Sequence, residues 1–262
     1  MKEDHFLLGQ IEDKITQCEN KYIATHTGFL DSHQQSLARI YCRKAHIPTF
    51  DAEPQGDALP PTRSIFYGGH EEAERVILIN LPDYAKLSDY DPLTVIRAAK
   101  AEGGRELTHR DYLGSLVALG IKRELLGDIL VREDGADIIV LTDIADFILM
   151  NYYKAGRTNL SLSQHPVSEL IVPPLKRTTM TDTVASLRLD SVMASAFGLS
   201  RGKAAEAIGR GLVFVNHVEV IKPDFQVSEG DKLTLRGKGK ACLIEVGGRS
   251  RKNRQYITIE RY

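Results

Sequence analysis

Residues 187–220 read "LRLDSVMASAFGLSRGKAAEAIGRGLVFVNHVEV", and the order of signals in this stretch decides the fold of the C-terminal part of the chain. Leu187, Leu189, Val192, Met193, Ala196 and Phe197 recur at three- and four-residue steps. That is the period of a helix buried along one face, and Gly198 supplies a natural stop. Ser200 then offers a side-chain oxygen to the free N–H groups of a second helix, which closes at Gly211. Beyond it "VFVNHVEV" alternates as two strands about Asn216 and His217, residue types that tolerate the positive φ of a two-residue hairpin. The charges are out of place for an isolated helix pair. Arg201 and Lys203 stand in the first turn of the second helix, where the macrodipole disfavours cations. The same corner gathers unsatisfied N–H groups that attract phosphate, so cations there make sense if a polyanion docks.

Downstream, "KPDFQVSEGDKLTLRGKGK" (222–240) passes from a turn-rich connection into an alternating strand. Leu233 and Leu235 point one way and Lys232, Thr234 and Arg236 the other, with Lys238 following. "GGRSRKNRQ" (247–255) reads as a flexible, glycine-led loop carrying Arg249, Arg251, Lys252 and Arg254, and "YITIERY" as a last strand. The charge map agrees with this concentration. The 262-residue chain has a formal net charge of −1, yet from Lys176 onward it holds 16 Lys and Arg against 9 Asp and Glu, while the first 175 residues hold 18 against 26. A sign change at one point describes a basic module for polyanions joined to an acidic body. A lone basic run is most often a solvated surface. A basic helix corner, strand face and loop within one module point to nucleic acid. The acidic part is expected to keep away from nucleic-acid backbone, setting orientation or touching macromolecular partners through local basic spots such as Lys122 and Arg123.

The proline pair in "LIVPPLKRTTMTDT" (170–183) cannot continue a helix, and the threonines after it favour an extended linker. A second break, "HIPTFDAEPQGDALPPT" (46–62), has no hydrophobic period. Three parts follow: an N-terminal helical region with a Pro-rich linker (1–64), a middle α/β layer domain (65–172) and the basic module (176–262), an α+β fold overall. In the first part Phe6, Leu7, Ile11, Ile15, Cys18 and Tyr22 predict one helix, and Leu37, Ile40 and Tyr41, after Asp31 or Ser32 as N-cap, a second. In the middle part "RVILINL" reads as a strand, "DPLTVIRAAKAE" and "RDYLGSLVALG" as helices, and "DILVREDGADIIVLT" as two strands around an Asp-Gly turn. "DIADFILMNYYKAG" then reads as a helix and "TNLSLS" as a strand, with the helices on one face of a small sheet.

His109, Arg110 and Asp111 open like a protein-kinase catalytic loop, but Leu116 stands where the metal-binding Asn is needed and no glycine-rich loop accompanies them. They read instead as a helix start, or with "IKRE" (121–124) as a polar patch for a macromolecular partner. Cys18, Cys42 and Cys242 are widely spaced, with no CxxC pair, so reduced thiols are expected and neither a disulfide framework nor a zinc site. No metal, cofactor or small-molecule substrate is expected. The opening "MKEDHFLLGQ" mixes charge signs and no apolar run approaches a membrane span, which reads as a cytoplasmic protein.

The series "LRLD", "LSRGKA", "GLVFVN", "KP" and "GDKLTLRGKGK" resembles the S4 RNA-binding domain, the module of two helices and a hairpin found in ribosomal protein S4, tyrosyl-tRNA synthetases and some pseudouridine synthases, over about residues 181–245. Position by position, the resemblance implies RNA-facing roles for Arg188 and Asp190 of "RLD", Ser200 and Arg201 of "SR", and Lys203, with Lys222 and Arg236 as weaker matches. Arg210, Lys232, Lys238, Arg251 and Lys252 join them on charge. His217 stands where many members have glycine. With "YGGHEEAER" (67–75) and "LTHRDYLGSLVALGIKRELLGDILV" (107–131) added, the whole chain is similar to the bacterial YlmH-type proteins. That likeness implies a middle domain of RNA-recognition-like topology and a role at the large ribosomal subunit in rescue of stalled peptidyl-tRNA.

The expected function is therefore a non-enzymatic factor that binds structured RNA, ribosomal or transfer, through shape and phosphate contacts, since a helix and short hairpin cannot read the deep, narrow major groove of A-form RNA. Two alternatives compete. An RNA-modifying enzyme of pseudouridine-synthase type carries its catalytic Asp in a separate domain, whereas "RLDSVMASA" begins the S4 helix itself. A cell-division interaction scaffold predicts association independent of RNA.

Overall fold

The computed structural model describes residues 2–54, 60–90, 92–101, 103, 105–174 and 177–262. Two compact units divide the chain, Met1–Pro173 and Pro174–Tyr262.

The first unit is built in four layers. Its N-terminal half comprises α1 (Lys2–Lys21), β1 (Thr25–His26), α2 (Ser32–Lys44), β2 (Thr49–Phe50), β3 (Thr62–Tyr67) and β4 (Ile77–Pro82), with the strands in the order β1-β4-β3-β2. Asp31 starts α2 with a reciprocal box: its carboxylate accepts from the Gln34 N–H at 3.0 Å, and the Gln34 side chain accepts from the Asp31 N–H at 2.9 Å. Ile11 and Ile15 of α1 and Ala38 and Cys42 of α2 share a core with Phe66 and Leu78, so both helices cover one face of this sheet. Burial pushes the Cys18 and Cys42 thiols up to about 11 and keeps them protonated at neutral pH.

The second half comprises β5 (Leu93–Lys100), α3 (His109–Ala118), β6 (Leu126–Arg132), β7 (Gly135–Leu141), α4 (Ala145–Asn151), β8 (Lys154–Ala155) and β9 (Thr158–His165). Its strands form an antiparallel sheet of order β6-β7-β5-β9-β8. Apart from the two-residue β8, this is the strand-helix-strand-strand-helix-strand arrangement of RNA-recognition modules. Ile96, Ala98, Ile138 and Val140 pack under Tyr112, Leu116 and Ile148 of the helical side. Leu93, Val95, Ile139 and Leu141 point the other way, against Ile65, Ile77, Ile79 and Leu81. The two sheets therefore pack face to face, with a helix pair outside each.

This layering explains three departures from the sequence reading. The expected boundary at 64/65 falls inside β3, and the N-terminal part carries strands as well as helices, because its sheet supplies the cover for the second one. Within "DPLTVIRAAKAE", Leu93–Lys100 forms a strand rather than a helix: apolar residues fall on both of its faces, Leu93 and Val95 on one and Ile96 and Ala98 on the other, so no period of two is visible. The hairpin after β6 turns on Glu133 and Asp134, one residue earlier than expected, with Gly135 already paired opposite Arg132.

The second unit comprises β10 (Thr178–Val184), α5 (Leu189–Phe197), α6 (Arg201–Gly209), β11 (Val213–Val215), β12 (Val218–Glu219), β13 (Lys232–Leu235), β14 (Gly239–Arg249) and β15 (Gln255–Arg261), with sheet order β10-β15-β14-β13-β11-β12. Gly198 ends α5 at φ 61°, and Asn216 and His217, at φ 49° and 64°, make the tight turn that sets Val215 opposite Val218. Leu189, Val192, Met193 and Phe197 of α5 and Ala204 and Ile208 of α6 close the core over Leu233, Leu235, Ile257 and Ile259. Two expectations are corrected here. The threonine run is not linker from 178 onward but the strand β10, paired residue for residue with β15. Gly247 and Gly248 do not lead a flexible loop; they lie within β14, and only a short turn, closed by the Ser250 N–H donating to Arg254 O at 2.8 Å, joins β14 to β15.

Candidate nucleic-acid interface

Asp190 is the centre of the basic corner. It sits in the first turn of α5, only 6 % exposed, and both of its oxygens are engaged. Arg188 donates to it through Nε and NH2, each at 3.2 Å, and Arg201, from the start of α6, donates through NH2 at 2.8 Å. Burial raises the Asp190 carboxyl, but the hydrogen bonds from the two guanidinium groups outweigh it and hold the group below the usual carboxylate range. Asp190 bonding in turn raises Arg188. The "RLD" and "SRG" motifs thus form one object: a buried carboxylate that fixes two arginines whose side chains remain 38 % and 56 % exposed. This corrects the role assigned to Asp190. It faces the arginines rather than RNA, and an anion could not approach it without displacing them.

The two helix starts differ. The Leu189 and Asp190 N–H groups donate to Phe225 O at 2.8 Å and Pro223 O at 3.0 Å, so the first turn of α5 is satisfied within the protein. At α6 the Ser200 hydroxyl accepts from the Lys203 N–H at 3.2 Å, while the Arg201 and Gly202 N–H groups have no acceptor among the described residues. Anion-binding donors therefore remain at α6 alone, beside Arg201. Lys222 opens the turn whose carbonyls cap α5, which carries it toward the same corner.

The remaining basic positions are dispersed. Arg210 follows α6 and pairs loosely with Glu206 at 3.6 Å. The Arg236 N–H donates to Leu212 O, which brings Arg236 and Lys238 to that C-terminal end of α6, about 13 Å from Arg201 by helix rise. Lys232 lies at the opposite end of β13, next to Asn216. Arg251 and Lys252 occupy the tip of the β14–β15 turn. Arg254 is a structural residue: its Nε donates to Thr183 Oγ1 at 3.0 Å and its NH2 to Thr183 O, joining the turn to β10. Arg254→Ala is expected to lower the stability of this unit by about 1 kcal/mol with little change in RNA affinity, checked by thermal melts beside binding curves.

In the first unit, Asp111 caps α3 rather than serving chemistry: its Oδ2 accepts from the Thr108 N–H at 2.9 Å and the Thr108 hydroxyl at 2.7 Å, which lowers its carboxyl. Lys122 pairs with Glu124 at 3.8 Å and follows the far end of α3 from Arg110, so "HRD" and "IKRE" do not form one patch. The face of the second sheet that RNA-recognition modules use for stacking bases is covered over much of its area, while Ala99, Ser161 and Ser163 on the same face stay exposed. One part lies under the first sheet. Another part is covered by residues 167–171: Arg97 and Arg132 grip Asp137 at 2.9 and 2.7 Å, Arg97 also donates to Glu169 O, and the Ile171 N–H donates to Asp137. No group of His, Cys, Asp and Glu able to hold a metal occurs among the described residues, and no described helix is long and apolar enough to cross a membrane.

A family model described as "Putative RNA-binding domain in YlmH" matches residues 89–169, and the "S4 domain" model matches residues 187–233. The chain is 36% identical over 261 residues to the "Ribosome-associated protein quality control protein P2" of Bacillus subtilis (strain 168), covering 99% of this chain and 96% of that protein. A solved structure, "Cell division protein ylmH from Streptococcus pneumoniae", is 27% identical, with a TM-score of 0.47, and covers 65% of this chain and 96% of that one. With the Asp190 corner inside the matched S4 segment and identity sustained along the whole length of the Bacillus protein, the chain belongs to the YlmH-type family of S4-domain proteins.

Proposed function

We propose that this protein is a non-enzymatic, cytoplasmic RNA-binding factor of ribosome-associated quality control. It docks on the large ribosomal subunit by setting its S4 corner against structured RNA, either ribosomal RNA or the tRNA of a stalled peptidyl-tRNA. The observation that carries this reading is the carboxylate of Asp190 holding Arg188 and Arg201 from two different helices. Flexible surface cations lose side-chain entropy when they bind phosphate. Two arginines already fixed by a buried anion lose less and present a defined spacing. The name of the Bacillus relative supports the quality-control setting. A basic module joined to an acidic body meets a dense RNA surface in few orientations, because attraction and repulsion both act within a Debye length of about 8 Å.

Gradient sedimentation of the purified chain with separated subunits tests the proposal. Co-sedimentation with large subunits is expected, strengthened when they carry peptidyl-tRNA and lost in the Arg188→Ala, Arg201→Ala double variant. With about four to six phosphates neutralised, log K against log salt should fall with a slope of about −3 to −5. Equal affinity for small subunits, or a flat salt response, rejects the proposal.

A further inference from the structure

The outer, helical side of the second sheet carries a cleft of about 490 Å³ between α3 and the segment that runs from the end of α4 into β8. Its floor is small: Gly114, Ser115 and Ala118 on α3, and Gly156. Arg110, Tyr153 and Lys154 form its rim. Tyr153 is 64 % exposed, and Lys154 Nζ lies 5.8 Å from the centre of its ring, leaving a π-face beside a cation. Arg105 neutralises Asp111, the one carboxylate in the lining, at 2.6 Å. Arg110, and Arg157, which follows the lining residue Gly156 in the chain, have no carboxylate partner among the described residues.

We infer that this cleft is a second RNA contact, one that takes an unpaired nucleotide of a single strand, with its base stacked on Tyr153 and its phosphates toward Arg110 and Lys154. The argument is charge complementarity within an acidic body. The first 175 residues carry an excess of acids, yet this cleft concentrates uncompensated cations around an open aromatic ring. That combination of a stacking platform and a positive rim is how proteins hold single strands without reading sequence. Gly114 and Ala118 on α3 let the sugar-phosphate chain come close, and a cleft between one helix and one connecting segment accepts single bases rather than an A-form duplex. Much of the sheet face that this topology otherwise offers to RNA is covered by the first sheet, and the cleft on the helical side is a separate surface. Net charge alone, which set the acidic part apart from RNA backbone, averages this local patch away. The inference extends the proposed function, and its test separates the two sites.

The experiment uses the full chain carrying Arg188→Ala and Arg201→Ala, titrated into fluorescently labelled octauridylate at low salt and followed by anisotropy. Tyr153→Ala on this background should weaken binding about tenfold, the loss of one stacked base. Gly114→Leu should do the same by filling the floor. A Cβ added at Gly114 meets nothing within 4 Å, and leucine is a better helix former than glycine, so the fold is kept. Neither change should alter duplex binding in the chain with an intact S4 corner. If either variant binds octauridylate as tightly as its parent, the inference is overturned, including the case in which the cleft takes a peptide instead. Failure of the corner itself reads differently: the double arginine variant would then keep its duplex affinity while Tyr153→Ala still acted on octauridylate.

Discussion

Asp190→Ala should weaken binding of structured RNA by about tenfold to a hundredfold, although it adds one positive charge to the corner. Simple electrostatics predicts the reverse sign, since removing an acid near the site should attract phosphate. The geometry decides otherwise, because the Asp190 carboxylate bonds both Arg188 and Arg201, and without it the guanidinium groups lose their fixed spacing. Loss of charge-assisted bonds at a buried group costs about 1–3 kcal/mol, and each 1.4 kcal/mol is about tenfold in affinity. Glu206→Ala is the control. It adds the same charge on α6, where Glu206 is exposed and only loosely paired with Arg210, and should leave binding unchanged or slightly stronger. If Asp190→Ala strengthens binding as that control does, the corner is a diffuse field rather than a site. The pH response has a fixed sign. Asp190 is held below its ordinary value, so its contribution is complete above the unfolded carboxylate pKa of about 4 and disappears only as pH falls through the lower folded value. RNA affinity should therefore show no Asp190-linked loss between pH 7 and about pH 5.

Gly135→Ala should destabilise the first unit by about 3 kcal/mol or more, a drop of about 6–12 °C in Tm for a unit of this size. At Gly135 φ is +156°, and an added Cβ would lie 2.1 Å from the Ala98 carbonyl oxygen. That oxygen belongs to the neighbouring strand β5, which is packed on both faces and cannot retreat without opening two cores. Scanning calorimetry of the variant checks this, and RNA binding by the second unit should survive below the new transition. An unchanged Tm would show that β5 and β7 yield more easily than their packing implies.

The S4 module was legible in the sequence because its signals are local and contiguous: a helical period ended by Gly198, a cap at Ser200, and a turn at Asn216 and His217. The corner's arginines followed from motif order. The role of Asp190 did not, since spacing says nothing about which member of "RLD" turns inward. β5 was misread because Leu93 and Val95 on one face and Ile96 and Ala98 on the other are all apolar, and Ala98, Ala99 and Lys100 are good helix formers; the cover of a second sheet explains the strand. The cleft was out of reach for a related reason, as Arg110 and Lys154 stand far apart in the chain and meet through the packing of α3 beside β8.

The order of strands in the second unit has a consequence for biosynthesis. β15, the last element of the unit to be translated, is not at the rim of its sheet but between β10 and β14, joining the first strand of the unit to the rest. Until residues 255–261 have left the ribosomal tunnel, β10 has no partner and β14 shows an unpaired edge, the kind of surface that recruits other chains. Domains complete their folding as units during synthesis, so the arginine corner's module cannot close on a chain whose own translation has halted before its final strand, and unfinished copies would lack the sheet that supports it.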